Sequence, residues 1–132
     1  LSDYDIVAFS DYRCGLITES FIDTCTNHKD VDTYASSQIS SRDSNYHLYG
    51  NIDYIICNEK ESQSVDRDIN LCVTKGERGC SFNGTDYQGF EVKDVVSTMG
   101  AGDAFYAAFL ASGDPEFANI EASDFIESQT YV

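Results

Sequence analysis

Residues 97–105 read STMGAGDAF, a glycine-rich turn that runs directly into an apolar helix. Glycine lets a backbone approach a ligand closely. The first N–H groups of a helix have no partner inside it, and the helix dipole adds positive charge at that end. The turn therefore predicts an anion hole for a phosphoryl group, built from the amides of Gly100, Ala101 and Gly102. Asp103 lies in the first helical turn and is the candidate base. From spacing alone, an acid that only suits the dipole explains Asp103 equally well.

Around this turn, short apolar runs alternate with helical patterns. Strands are predicted at residues 5–10, 30–36, 53–58 and 71–75, and helices at residues 18–27, 100–112 and 116–129. Residues 37–49 are polar and predict irregular structure with at most a short helix. The dipeptide Asn83-Gly84 is typical of a hairpin turn, so residues 79–83 and 87–93 predict an antiparallel pair.

This alternation is typical of an α/β domain with a mainly parallel sheet. Ligands of such sheets bind at the carboxyl ends of the strands. Four residues follow or end predicted strands and are expected at that edge: Asp11, Asn58, Lys75 and Gly76.

The composition excludes several classes of partner. The formal net charge is −15, from 23 acidic and 8 basic residues, which argues against binding to nucleic acid or to an anionic membrane. No apolar run approaches the ~18 residues of a transmembrane helix, and the acidic start is unlike a signal peptide. We therefore expect a cytoplasmic protein with a small-molecule partner. The chain opens at Leu1 on an apparent interior strand, so we expect residues 1–132 to be a portion truncated at both ends.

The cysteines predict buried, reduced thiols rather than disulfides or a zinc site. Their number is odd and no two are spaced as C-x-x-C. The five are Cys14, Cys25, Cys57, Cys72 and Cys80.

Four segments, in this order along the chain, resemble the ribokinase/PfkB family of carbohydrate kinases. Each motif alone is weak, but the shared order is specific. The resemblance covers nearly the whole chain and about the second half of a family member. The segments are Ser10-Asp11-Tyr12 with Gly15, the N-x-x-E motif Asn58–Glu61, the T-x-G-x-x-G motif Thr74–Gly79, and GAGDAF at residues 100–105.

The resemblance implies a partial domain with a three-layer, ribokinase-like (Rossmann-like) fold, whose mostly parallel sheet carries an antiparallel hairpin. It also implies ATP-dependent phosphorylation of a sugar or sugar phosphate. The SDY loop and residues 38–41 (QISS) resemble heptose-phosphate kinases, whereas residues 98–103 (TMGAGD) resemble fructosamine kinases.

Carried over to matching positions, the resemblance implies a role for each motif. Asp103 is the base that deprotonates the sugar hydroxyl, and the amides of Gly100, Ala101 and Gly102 hold the transferring phosphoryl group. Nucleotide contacts come from Thr74, Gly76 and Gly79, whereas Asn58 and Glu61 organise Mg²⁺ through water and phosphate. From the residues alone, Asn58 reads as a strand-end cap and Glu61 as a solvated acid. A homodimer formed through a sugar-side lid is implied for the full-length protein.

Three departures from the family pattern favour an alternative, a non-catalytic kinase-like remnant that binds or regulates. Ser97 stands where the family has an aspartate linked to a monovalent cation site, which removes the support for potassium activation. Cys14 stands where the heptose-kinase loop carries lysine, and only residues 59–70 connect the third and fourth strands. A dinucleotide-binding domain is disfavoured, because the glycines do not form G-x-G-x-x-G with a downstream acid.

Overall fold

The computed structural model describes residues 4–28, 30–37, 43–92, 95 and 97–129. The chain divides into two compact units, Leu1–Leu71 (unit 1) and Cys72–Val132 (unit 2). Residues 38–41, which bear on the resemblance to heptose-phosphate kinases, lie outside the described residues.

Unit 1 is built on three parallel strands. The register pairs Ile6 with Asp32 and Asp11 with Ser37 in the first two strands, and Ala35 with Ile55 in the next two. Its elements are β1 (Ile6–Asp11), α1 (Glu19–Thr26), β2 (Asp32–Ser37), a 3₁₀ turn (Tyr46–Leu48), β3 (Tyr54–Asn58) and α2 (Glu59–Ser62).

Helix α1 begins where the sequence predicts. The Thr18 hydroxyl oxygen accepts the Phe21 N–H at 3.3 Å, satisfying one of the amides that a helix start leaves open. Ile22 and Cys25 lie three residues apart on one face and are buried, whereas half of Phe21 remains exposed and its ring packs edge-on against Phe9. The helix thereby covers one face of the parallel strands.

The short apolar run at residues 5–10 predicts a strand buried on both faces, but β1 is buried on only one of them. Side chains of a strand alternate between faces. Phe9 and Asp11 are buried, whereas Ile6, Ala8 and Ser10 are exposed. By contrast, β3 buries three consecutive residues, Ile55–Cys57, as expected of a strand covered on both faces.

Unit 2 combines antiparallel strands with two long helices. Its strands are β4 (Asn70–Thr74, which belongs to unit 2 from Cys72 onward), β5 (Cys80–Phe82) and β6 (Thr85–Tyr87), and its helices are α3 (Ala101–Ser112) and α4 (Pro115–Glu127). In the register, Thr74 pairs with Cys80 and Phe82 pairs with Thr85.

The hairpin is confirmed, but its second strand begins earlier than predicted. Asn83 and Gly84 both have positive φ, 50° and 84°, as the two central residues of a type I′ turn require. A two-residue turn places Thr85 directly opposite Phe82. The predicted strand at residues 87–93 therefore moves to 85–87; residue 93 lies outside the described part of the chain.

Helix α3 is the centre of the unit 2 core. Phe105, Tyr106, Ala108 and Phe109 are buried along it, and the ring of Phe109 packs against Phe82 with centroids 5.3 Å apart. Burying a side chain of this size contributes about 1.5–3 kcal/mol. The helix ends at a left-handed Gly113 and α4 follows at once. The α4 N-terminus has an Asp114 cap and Pro115 in its first turn.

The α/β fold class, with parallel strands and an antiparallel hairpin, is confirmed. All five cysteines are reduced thiols, as predicted; Cys25, Cys57, Cys72 and Cys80 are buried, but the predicted burial is wrong for Cys14, which is exposed. Across the described ranges, no helix is both long and apolar enough to cross a bilayer.

Candidate functional site

The predicted anion hole lies at the N-terminus of α3 and has no side-chain cap. Gly100 adopts a left-handed conformation with φ of 87° and, having no side chain, forms no side-chain cap. Helix geometry leaves the amides of Ala101, Gly102 and Asp103 without a carbonyl partner inside the helix. Both Gly102 and Asp103 are exposed. The carboxylate therefore lies in the same exposed turn as the predicted anion hole.

Two contacts define this turn more sharply. The Ala101 N–H donates to the Thr98 carbonyl at 3.1 Å, so one of the three amides of the predicted anion hole already has a partner. A Cβ at Gly100 would lie 3.1 Å from the Phe125 ring of α4. Glycine is thus required here both for its φ and for the packing of α4 against the turn.

Ser97 forms a side-chain hydrogen bond in the segment just before the predicted anion hole. Its hydroxyl oxygen accepts the Met99 N–H at 3.1 Å, which makes a short side-chain turn before Gly100. A hydroxyl at this position supplies a local acceptor without a negative charge.

The predicted nucleotide loop is a tight turn between β4 and β5. The Lys75 N–H donates to the Gly79 carbonyl at 2.8 Å, and the Gly79 N–H donates to the Gly76 carbonyl at 3.1 Å. Gly76 and Gly79 both have positive φ, 61° and 93°. Thr74 precedes the turn as the last residue of β4. Thr74, Gly76 and Gly79 are therefore brought together in one loop.

The backbone after β6 crosses this loop at two glycines. A Cβ at Gly79 would overlap the Tyr87 carbonyl oxygen, and a Cβ at Gly89 would overlap the Glu77 carbonyl oxygen. The Lys75 ammonium pairs with the Asp86 carboxylate at 3.0 Å, but exposed pairs of this kind stabilise a fold little. Backbone packing is what fixes the shape of the loop.

Asn58 and Glu61 meet in a reciprocal capping box at the start of α2. The Glu61 N–H donates to Asn58 Oδ1 at 2.8 Å, and the Asn58 N–H donates to Glu61 Oε1 at 3.0 Å. This arrangement satisfies two backbone donors of a helix start. Among the described residues, no group of three or more His, Cys, Asp or Glu side chains could hold a metal ion. A magnesium ion near Asn58 would therefore need most of its ligands from phosphate and water.

The thiol next to this box is inert. Burial raises the pKa of Cys57 to about 12, and the negative charge of Glu61 adds to the shift. The thiolate is the nucleophilic and metal-binding form of cysteine, so Cys57 serves as a small buried side chain at neutral pH.

Asp11 lies at the predicted edge of the parallel strands, but it is buried and fully bonded. Only 6% of the residue is exposed. Its Oδ1 accepts the Arg13 N–H at 2.8 Å, and its Oδ2 accepts Asn45 Nδ2 at 3.0 Å and the Tyr49 hydroxyl at 2.8 Å. No local pattern in the sequence points to Asn45 and Tyr49 as partners of Asp11, because they lie 34 and 38 residues away.

The predicted site residues thus fall into three groups. Asn58 and Glu61 meet in unit 1, Thr74, Gly76 and Gly79 share one loop of unit 2, and Gly100–Asp103 share one helix start of unit 2.

Comparison with known proteins decides the family. The model of the pfkB family carbohydrate kinases matches residues 3–114. The chain belongs to the pfkB family of carbohydrate kinases. No curated protein sequence matches it.

Solved structures confirm the ribokinase-like fold of this pfkB-family chain. A ribokinase from Arabidopsis thaliana, solved with ribose and ATP, superposes with a TM-score of 0.74 at 22% identity, covering 96% of this chain and 51% of that one. A nucleoside kinase from Methanocaldococcus jannaschii has a TM-score of 0.68 at 20% identity, over 95% of this chain and 50% of that one. An adenosine kinase from Sinorhizobium meliloti has a TM-score of 0.68 at 20% identity, over 92% of this chain and 49% of that one. The chain therefore spans about half the length of these proteins.

Proposed function

We propose that this chain is part of a kinase that transfers a phosphoryl group from ATP to a hydroxyl of a sugar or sugar phosphate. Family membership supports the reaction class. The observation that carries the proposal is the start of α3, where an uncapped, glycine-led helix N-terminus lies beside the exposed carboxylate of Asp103. Phosphoryl transfer depends mainly on positioning and charge neutralisation, and this turn offers both.

In the proposed mechanism, Asp103 accepts the proton of the attacking hydroxyl. The amides of Gly100 and Gly102 donate to the transferring phosphoryl oxygens, and the α3 dipole adds positive charge there. The Ala101 amide would join them only by releasing the Thr98 carbonyl. When bound, ATP would supply the phosphoryl group, and a Mg²⁺ ion organised through water by Asn58 and Glu61 would supply positive charge to neutralise it.

The remaining predicted residues would orient the nucleotide. The glycines of the loop at Thr74–Gly79 leave its backbone open to a phosphate or ribose. Asn58 and Glu61 would reach Mg²⁺ through water, since their capping box already engages one oxygen of each side chain.

Calorimetric titration of the chain with ATP, with and without Mg²⁺, tests the nucleotide part of the proposal. We expect saturable binding that Mg²⁺ strengthens. A Gly76→Ala variant should bind less tightly, because its φ of 61° disfavours any side chain. A Gly84→Ala variant is the matched control, since Gly84 has a similar φ but lies in the hairpin turn. Absence of saturable ATP or ADP binding at millimolar concentration would contradict nucleotide binding by this chain.

The alternative, a kinase-like remnant that binds without catalysing, is favoured by one specific observation. Ser97 replaces the acid of the family pattern and uses its hydroxyl within its own turn. A remnant would bind nucleotide and transfer nothing to any sugar. Binding by calorimetry, together with transfer to a panel of sugars assayed by radiolabelled phosphate, separates the two functions.

A further inference from the structure

The buried carboxylate of Asp11 joins three segments of unit 1 that are distant in sequence. It ends β1, and through its two oxygens it holds the Arg13 backbone and the side chains of Asn45 and Tyr49. Burying a carboxylate costs free energy unless its lone pairs are satisfied. Three hydrogen bonds to an ionised group are a strong compensation.

The network extends from Asp11 to the end of the neighbouring strand. Asn45 Oδ1 accepts the Ser37 hydroxyl at 2.6 Å, and the Tyr46 hydroxyl bonds both the N–H and the carbonyl of Ser37 at 3.1 Å. Because Ser37 pairs with Asp11 in the register, the carboxyl ends of β1 and β2 are held by the same polar cluster.

The other side of the network is fixed by Arg67. Its Nη2 donates to the carbonyls of Tyr46 and Tyr49 at 3.2 and 2.7 Å. The segment that supplies Asn45 and Tyr49 is thus anchored independently of Asp11. If Asp11 were changed, the anchored side would stay and the loop after β1 would lose the bond that holds the Arg13 backbone.

That loop has a strained backbone which Asp11 stabilises. Arg13 has a φ of 63°, an uncommon value for a residue other than glycine, and its N–H donates to the Asp11 carboxylate. Its guanidinium also donates to the Asp43 carbonyl at 2.8 Å. Strain of this kind persists only where the surroundings hold it.

We propose that Asp11 is a positioning residue. It pre-forms the loop at residues 12–16, which is the edge of unit 1 that faces the phosphoryl acceptor. Ligands of parallel sheets bind at the carboxyl ends of the strands, and the loop lies there. The acceptor would be a polyhydroxyl compound, a sugar or sugar phosphate, so the inference rests on the proposed function. Asp11 itself is buried and acts through the loop.

Amide hydrogen exchange gives the first measurement. In Asp11→Ala, the Arg13 amide loses a bond to a charged acceptor and should exchange about tenfold faster or more, while the Ile22 amide of α1, bonded to the Thr18 carbonyl, should keep its rate. Tyr49→Phe removes only one donor to Oδ2 and should give a smaller change; it also serves if the alanine variant does not fold. Asp23→Asn is the control for loss of a charge, since Asp23 is exposed on α1.

The exchanged pair Asp11→Asn with Asn45→Asp distinguishes positioning from simple packing. Here the new Asn amide donates to the new carboxylate, which can still accept the Ser37 hydroxyl, and the Asn carbonyl can still accept the Arg13 N–H. Arg13 exchange should return to near the wild-type rate. An unchanged Arg13 rate in Asp11→Ala, or a pair that restores nothing, would overturn the proposal.

Ligand titrations then test whether the loop contributes to binding of the phosphoryl acceptor. For the tightest binder among ribose, a hexose monophosphate and a heptose monophosphate, affinity should fall about fivefold or more in Asp11→Ala, a loss of about 1 kcal/mol, and should recover in the exchanged pair. MgATP affinity should stay within about twofold of the wild-type value, a smaller change than the loss of one hydrogen bond would cause. A sugar affinity indifferent to Asp11 would also overturn the proposal. If the wild-type chain bound neither MgATP nor any sugar, the proposed function would be lost, and Arg13 exchange alone would decide the positioning role.

Discussion

Two helix starts in this chain follow opposite designs. At α2, Asn58 and Glu61 satisfy each other's backbone amides in a capping box. At α3, Gly100 replaces a capping side chain and no side-chain cap is formed. The α2 start is capped by its own side chains, whereas the α3 start has no capping side chain at Gly100, and its Gly102 and Asp103 are exposed.

This difference teaches how each start contributes. A capping box stabilises the helix that it begins, so it explains Asn58 and Glu61 without any ligand. An uncapped start gives up that stabilisation and keeps its donors for a bound anion. Of the three groups of predicted site residues, Gly100–Asp103 is therefore the one whose geometry a structural role explains least.

The largest effect is expected at Asp103. In the kinase that contains this chain, Asp103→Asn should lower phosphoryl transfer about 10²- to 10⁴-fold, because a general base contributes that much. Nucleotide affinity should change little. Steady-state kinetics with MgATP and the accepted sugar, combined with calorimetry, measure the two quantities.

Glu116→Gln is the matched control, since Glu116 is an exposed first-turn acid of the capped helix α4. If Asp103 only suits the helix dipole, both substitutions will cost a few tenths of a kcal/mol of stability and leave transfer unchanged. Full activity of Asp103→Asn would remove the assigned base.

The next largest effect is expected at Gly100. Gly100→Ala should lower the free energy of unfolding by about 1–3 kcal/mol, because a side chain is disfavoured at a φ of 87° and would press against Phe125. Urea denaturation measures the change. Gly50→Ala is the control, as its backbone is not left-handed and a Cβ there meets open space. Equal stability of the two variants would show that neither the left-handed φ nor the contact with Phe125 requires glycine at position 100.

A smaller effect is expected from breaking the closed start. Asn58→Ala should cost about 0.5–2 kcal/mol, whereas Asn58→Asp should retain the cap. Thr98→Ala, before the α3 start, should change stability by less than about 0.5 kcal/mol, because the substitution keeps the Thr98 carbonyl that accepts the Ala101 N–H. Thermal unfolding of the three variants ranks them. A Thr98→Ala cost as large as that of Asn58→Ala would remove the contrast between the two starts.

The smallest effect is expected in thiol labelling of the native chain, in which the cysteines report how readily the core of each unit opens. In the native chain one cysteine of five should react rapidly with a thiol reagent, because Cys14 is exposed and the others are buried. All five should react in denaturant. Fast native labelling of Cys57 in unit 1 or of Cys72 in unit 2 would mean that the corresponding core opens readily.

Features set by neighbouring residues were predictable from the sequence. The cap at Thr18, the turn at Asn83-Gly84 and the helix after Gly100 each depend on a few adjacent residues, and each was confirmed. Family membership was predictable for the same reason, because its motifs are short.

Features that depend on distant residues were not predictable. The exposed face of β1 reflects what packs on that strand, which an apolar run alone does not reveal. The bonding of Asp11 requires side chains 34 and 38 residues away to converge on it, and no local pattern encodes that meeting. The roles of Asp103, Asn58 and the loop at Thr74–Gly79 remain predictions.

The crossing of backbone at Gly79 and Gly89 has a consequence for tolerance to mutation. Neither position leaves room for a methyl group, because each faces a carbonyl oxygen of the other segment. In a library of random codons, survivors should retain glycine at both sites even when selected only for folding. Invariance there would reflect the thickness of a polypeptide backbone, and it should not be mistaken for the imprint of a bound nucleotide.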